Sequence, residues 1–207
     1  MVEQILSANE LKMHIERCAV NNRESQKKIY NSYYGFAITV CMRYTDIHEN
    51  AVEILNDGFL KIFKDIHRFK PAYEDVVISF NAWVRRIMIY TAIDHFRKNS
   101  KFRLIESLDE QRIEIYGHEV GIVEKISCKE IIELIQQLSP SYKTIFNLYV
   151  MEGFTHNEIA GQLGISVGAS KSGLARARIQ LQKILRHRNQ IFSYTGYGEE
   201  HCEIEVC

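Results

Sequence analysis

Apolar residues recur three and four positions apart through most of this chain, which is the period of the α-helix. Ser7-Ala8-Asn9-Glu10 forms a capping box ahead of Leu11, Ile15 and Cys18, which share one face. Asn21-Asn22 interrupts that helix, and a second follows with Ile29, Tyr33, Phe36, Val40 and Tyr44 in a single stripe. The stretch from Glu49 to Phe69 decides between two folds. Asn56-Asp57-Gly58 in isolation is the turn of a β-hairpin. Val52, Leu55, Phe59, Ile62, Ile66 and Phe69 instead keep the helical rhythm straight through the glycine, where strands would alternate on either side. A helix carrying one glycine, at a cost of about 1 kcal/mol, fits better. Pro71 and Glu74-Asp75 then mark residues 70–81 as a loop, and a further helix is expected from about Ala82 to Lys98.

Residues 99–128 lose this periodicity and turn acidic. Structureless loops beyond about 15 residues are uncommon inside a domain, so the segment is expected to be a linker. The helical pattern resumes at Leu138-Ser139-Pro140, a capping serine followed by proline at the first helical position. Ile145, Leu148 and Tyr149 continue that helix to Gly153. Thr155-His156-Asn157-Glu158 is another capping box and opens a short helix with Ile159, Ala160 and Leu163 inside. Gly164 ends it, and Ser166 caps a last helix carried by Val167, Leu174, Leu181 and Ile184. Two helices joined by a short turn containing glycine make a helix-turn-helix. The expected fold is all-α, with two helical domains joined by a flexible linker. These are residues 1–99, an acidic linker at 100–128, a helix-turn-helix domain at 129–188, and an acidic tail at 189–207.

Charge sharpens that division. The chain has 26 basic and 26 acidic residues, but they are segregated. Residues 83–103 carry 6 basic and 1 acidic group, residues 104–138 carry 3 and 8, and residues 139–188 carry 7 and 2. Two basic segments separated by an acidic one suggest two surfaces for a polyanion. Five scattered cysteines argue against a disulfide framework and for a reducing compartment. No apolar run approaches the roughly 18 residues of a membrane span, and the N-terminus lacks the pattern of a signal peptide. A soluble cytoplasmic protein without membrane insertion is expected.

Candidate chemistry follows from helix geometry. With Leu174 at the centre of the buried face and about 100° per residue, Arg176 and Ser172 fall opposite the core, and Lys171 and Arg178 at its rim. Ser172 and Arg176 are then candidates for base edges, Ala175 for an apolar base contact, and Lys171 and Arg178 for phosphates. The competing reading is an exposed basic helix that binds nothing. In the helix at 82–98, Trp83 and Tyr90 interleave with Arg85, Arg86, Arg97 and Lys98, a combination suited to stacking on single-stranded bases. There the competing reading places the lone tryptophan in the core. No hydrolase, metalloprotease or phosphate-loop motif is present, and no cofactor is implied. Asp94-His95 are sequence neighbours on a helix and point in different directions, which makes a catalytic dyad a poor fit. His201, Cys202 and Cys207 form the only metal-like cluster, in a tail better explained as disordered.

The string FNAWVRRIMIYTAIDHFRKN resembles the promoter-melting segment of region 2 of bacterial sigma factors. LSPSYKTIFNLYVMEGFTHNEIAGQLGISVGASKSGLARARIQLQKIL resembles their region 4. The short spacing between them, with no room for a further domain, resembles the extracytoplasmic-function (ECF) group of the sigma-70 family. The likeness covers about residues 23–188. It implies a non-enzymatic initiation factor with core RNA polymerase and promoter DNA as partners, and an anti-sigma factor as a further candidate. Asn56, Asp57 and Phe59 would then lie at the polymerase contact, with Asn56-Asp57 where the family commonly has Gln-Glu. Trp83, Arg86, Tyr90, Arg97 and Lys98, with the loop before them, would open and read the −10 element. Thr155, Lys171, Ser172, Ala175, Arg176 and Arg178 would face the −35 element. Tyr90 stands where some members have asparagine. Gly173 stands at a frequent arginine, which would remove one −35 contact. The alternative function is a helix-turn-helix regulator that acts without being a polymerase subunit and binds duplex DNA unaided.

Overall fold

The computed structural model describes residues 6–98 and 128–195. Most of the expected linker, the final residues 196–207 and the His201/Cys202/Cys207 cluster lie outside these. Among the described residues every regular element is a helix, in two separate compact units.

The first unit contains α1 (Ala8–Ala19), α2 (Arg23–Met42), α3 (His48–Asp65) and α4 (Val76–Lys98). The Ser7/Glu10 capping box is formed, with Ser7 N–H donating to Glu10 Oε2 at 2.9 Å. Asn21 takes the left-handed conformation (φ 60°), and the Asn22 side chain caps α2 by accepting from Ser25 N–H at 2.9 Å. The α3 helix runs unbroken through Gly58 and ends in a tight 3-10 turn, Ile66–Arg68. Gly58 is buried at a close approach of two helices, because a Cβ there would run into the thioether of Met88 on α4. The helical stripe wins over the turn signal for that reason: the glycine is required by packing, not by a chain reversal.

The start of α4 departs from the sequence expectation. The loop expected at 70–81 is shorter, and the helix begins at Val76 rather than Ala82. Asp75 is the cap: its Oδ1 accepts from Val77 N–H at 2.7 Å and Ile78 N–H at 3.2 Å. Ser79 Oγ accepts from Tyr73 N–H at 2.9 Å and tethers the loop to the first helical turn. By length and apolarity α4 could cross a membrane. In this fold it packs against α1, α2 and α3, with Phe80, Val84, Met88, Ile89, Ala92, Ile93 and Phe96 buried. Its open strip carries Arg86, Asp94, Arg97 and Lys98, which would be costly against lipid.

The second unit contains α5 (Cys128–Gln136), α6 (Pro140–Phe146), a π-helical turn (Asn147–Met151), α7 (His156–Leu163) and α8 (Val167–Thr195). The α5 helix begins at the last residue assigned to the linker. Pro140 opens α6 as expected, although Ser139 makes no side-chain cap. Gly164 adopts φ 69°, which only glycine takes at little cost, and its N–H donates to Ala160 O at 2.9 Å to close α7. Ser166 Oγ accepts from Ala169 N–H at 3.0 Å and caps α8, which starts at the next residue. The α8 helix extends past the expected end at Arg188 to Thr195, so it takes in the first residues expected to belong to the tail. Ile145, Leu148, Ile159, Leu163, Leu174 and Ala177 form the core.

Candidate nucleic-acid interface

The α7 and α8 helices form the helix-turn-helix. Its entry is fixed at Thr155, whose Oγ1 donates to Glu158 Oε2 at 2.8 Å while Thr155 N–H donates to the same oxygen at 2.8 Å. Those bonds stabilise the ionised carboxylate and hold the Glu158 pKa below the ordinary value. Thr155 is exposed at the mouth of the motif, with its hydroxyl committed to the cap.

The buried strip of α8 is Ala169, Ser170, Gly173, Leu174 and Ala177. Its centre lies about 70° from Leu174, and that offset rearranges the outer face. Ser172 and Ala175 are now farthest from the core. Arg176 flanks them on one side, half-buried, with Nη1 donating to Tyr142 Oη of α6 at 3.4 Å. Lys171 and Arg178 flank them on the other and are exposed. The expectation that Arg176 stands opposite the core, with Lys171 and Arg178 nearer its rim, is corrected: Arg176 lies nearer the core than Lys171 and Arg178, which sit on the opposite shoulder of the helix. Ser172 Oγ donates to Ala169 O at 3.2 Å.

Gly173 requires a second correction. It is not a DNA-facing position that lost an arginine. It is buried against α6, where a Cβ would come within 2.6 Å of Ile145 Cδ1. The missing side chain lets α6 and α8 approach, and this same contact turns the buried strip away from Leu174.

In the first unit, Trp83, Arg86, Tyr90, Asp94 and Arg97 fall within about 60° of one line along α4, the strip its neighbours leave open. Arg86 Cζ lies 5.6 Å from the Tyr90 ring centroid, a cation–π arrangement, and Arg86, Arg97 and Lys98 are exposed. Trp83 is half-buried, packed on Phe69 at 5.3 Å and Phe80 at 5.7 Å between centroids. The core reading of the tryptophan is therefore met in part: one side belongs to an aromatic cluster and the rest is open along the strip. Asp94 is paired with Lys61 of α3 at 2.9 Å, which offsets the one acidic group in the strip. His95 turns instead to Glu53, at 3.5 Å. Asp94 and His95 thus engage different partners. Tyr73 and Ile78, beside the same loop, are exposed apolar groups that the pattern did not single out.

On α3, Asn56 and Asp57 are exposed, and Asn56 Oδ1 accepts from Tyr30 Oη at 3.1 Å. Phe59 is corrected: it is 2% exposed, 4.6 Å from the Tyr30 ring and 5.8 Å from Phe63. Its side chain belongs to the core and cannot touch a partner. The neighbouring Leu60, 68% exposed, is the apolar residue on the outer face. The buried thiols of Cys18 and Cys41 are pushed up by desolvation to about 11 and about 12. Among the described residues no group of three His, Cys, Asp or Glu side chains could hold a metal ion.

The chain thus combines a helical bundle that carries a cationic and aromatic strip with a helix-turn-helix unit. Residues 29–102 match the family model of Sigma-70 region 2, and residues 128–181 that of Sigma-70, region 4. The chain is 25% identical to the ECF RNA polymerase sigma factor SigW of Bacillus subtilis over 187 residues, 85% of this chain and 97% of that protein. It is 25% identical to the ECF RNA polymerase sigma factor BldN of Streptomyces coelicolor over 175 residues, 83% of this chain and 64% of that protein. With the ECF RNA polymerase sigma factor SigE of Mycolicibacterium smegmatis it shares 23% identity over 139 residues, 66% of this chain and 52% of the relative, so it spans about half to two thirds of the length of these two relatives. Among solved structures it is similar to the sigma factor RpoE of Bartonella quintana in complex with the anti-sigma factor NepR. That likeness has 19% identity and a TM-score of 0.43, and covers 77% of this chain and 96% of that one. The chain belongs to the sigma-70 family, in its ECF group.

Proposed function

We propose that this protein is a transcription initiation factor that binds core RNA polymerase and directs it to promoters. The exposed Asn56-Asp57 pair on α3, beside Leu60, forms the polymerase contact. The α4 strip and the loop before it open the −10 element and hold its unpaired bases. The outer face of α8 takes the −35 element, with Ser172 and Ala175 at its crest, Arg176 on one shoulder, and Lys171 and Arg178 on the phosphates of the other. The protein supplies recognition and strand separation, and the polymerase supplies the chemistry. It is not an enzyme by itself, it works in the cytoplasm, and an anti-sigma factor is a fitting further partner.

The observation that carries this reading is the pairing, in one chain, of the α4 strip with a helix-turn-helix. A regulator that binds duplex DNA unaided has use for the second but not for a surface of stacked rings and cations suited to single strands. Co-purification with core polymerase separates the two. The full chain is expected to co-elute with core enzyme, and Asp57→Lys to abolish this while leaving helicity by circular dichroism intact. Tight duplex binding by the free chain without association with polymerase would favour the regulator.

A further inference from the structure

His156 occupies the junction of the helix-turn-helix. It is the first residue of α7, held there by the Thr155/Glu158 capping box. Its ring stacks on Tyr149 of the π-helical turn, at 4.5 Å between centroids and 25° between planes. Its Nδ1 lies 2.9 Å from Ser170 Oγ on α8, and Ser170 is fully buried. One side chain thus joins the π-helical turn, the first helix of the motif and the recognition helix. Ser170 is directly followed by Lys171, a shoulder cation of the proposed DNA face. Sequence inspection gave His156 only a place in a capping box.

We propose that His156 is a positioning residue of the DNA-reading surface, which locks α8 through Ser170 and adds a titratable positive charge beside Lys171 and Arg178. This rests on the proposed function of the same helix. The serine hydroxyl both donates and accepts, so the Nδ1 contact is kept whether the ring is neutral or protonated. The charged groups that act on the ring are Lys171 and Arg178 from α8, and Tyr149 faces it from the π-helical turn; the Glu158 carboxylate of α7 is turned back onto Thr155. Desolvation first, then Lys171 and Arg178, hold the free protein's His156 below the usual histidine value. Phosphates drawn to those two cations offset their field and favour the imidazolium. DNA binding then takes up a proton, so affinity rises as pH falls through the DNA-bound pKa and levels off below that of the free protein.

The test uses holoenzyme assembled from the full chain and core polymerase, with a fluorescent duplex pool of randomised sequence at low salt, because added charge acts on any sequence. Affinity is measured from about pH 8 to about pH 5.5, the range that brackets histidine titration. Wild type is expected to tighten with falling pH, by at most about tenfold per unit for one proton. His156→Gln, which keeps a hydrogen-bonding group but cannot ionise, should lose that increment. Ser170→Ala should weaken binding at every pH while keeping the slope. Equal slopes for wild type and His156→Gln overturn the charge, and unchanged affinity in Ser170→Ala overturns the positioning. A wild type that forms no holoenzyme fails at the earlier step and overturns the function beneath the proposal.

Discussion

Replacing Gly58 by alanine tests the packing that holds α3 against α4. In an open helix this change stabilises by about 1 kcal/mol, because glycine has the greater conformational freedom to lose. Here the new methyl meets the thioether of Met88, a residue with no exposed surface whose Sδ lies 3.9 Å from Cys41 Sγ. Overpacking a closed core costs about 1–3 kcal/mol, and methionine's flexibility favours the lower part of that range. The net expectation is a loss of about 0–2 kcal/mol. Met88→Ala alone should cost about 2–5 kcal/mol by opening a cavity. In that background Gly58→Ala should change sign and stabilise by about 1 kcal/mol, giving a coupling of about 1–3 kcal/mol. The assay is urea unfolding of the full chain followed by tryptophan fluorescence. Trp83 is the chain's one tryptophan and packs on Phe69 and Phe80, so its emission reports the first unit alone. If Gly58→Ala stabilises the wild-type chain by the full open-helix amount, with no coupling to Met88, the close approach of α3 and α4 is wrong.

Other outcomes follow from the same geometry. Gly173→Arg should lower the thermal midpoint of the second unit by overpacking against Ile145, whereas a surface glycine replaced by arginine would raise it, as differential scanning calorimetry will show. Phe59→Ala should destabilise by about 3–5 kcal/mol, while Leu60→Ala should stay within about 0.5 kcal/mol and weaken polymerase binding instead. Arg176→Ala should cost about 1–3 kcal/mol on the preferred −35 sequence and little on mutated ones, and Lys171→Ala should weaken all sequences alike with a flatter salt dependence. Tyr142→Phe is the control for Arg176, since it removes the hydroxyl that the guanidinium reaches. Equal losses on every sequence for Arg176→Ala would remove it from base recognition.

The parts of the fold that could be read from sequence are those decided within a few residues. The caps at Ser7, Thr155 and Ser166 and the left-handed Gly164 depend on local chemistry, and each stands where the pattern placed it. The helix through Gly58 was legible because six apolar positions outweighed one turn signal. Features that depend on a neighbouring helix were not. Asp75 looked like one more loop acid, although an aspartate just before Val76, Val77 and Ile78 is a cap signal. A wheel centred on Leu174 could not show that Ile145 closes over Gly173, so it misjudged the side of Arg176. Phe59 bore two incompatible readings, core stripe and partner contact, and only its packing on Tyr30 and Phe63 separates them.

Transcription by core RNA polymerase with and without the full chain, on fragmented genomic DNA from the source organism with start sites mapped, decides whether the chain directs initiation. Start sites that occur only with the chain and share two upstream elements at −35 and −10 are expected. Asp57→Lys should remove them all, and Arg176→Ala should spare best the sites whose −35 element already deviates. Start sites identical to those of core enzyme alone, while the chain binds duplex DNA by itself, would contradict that role.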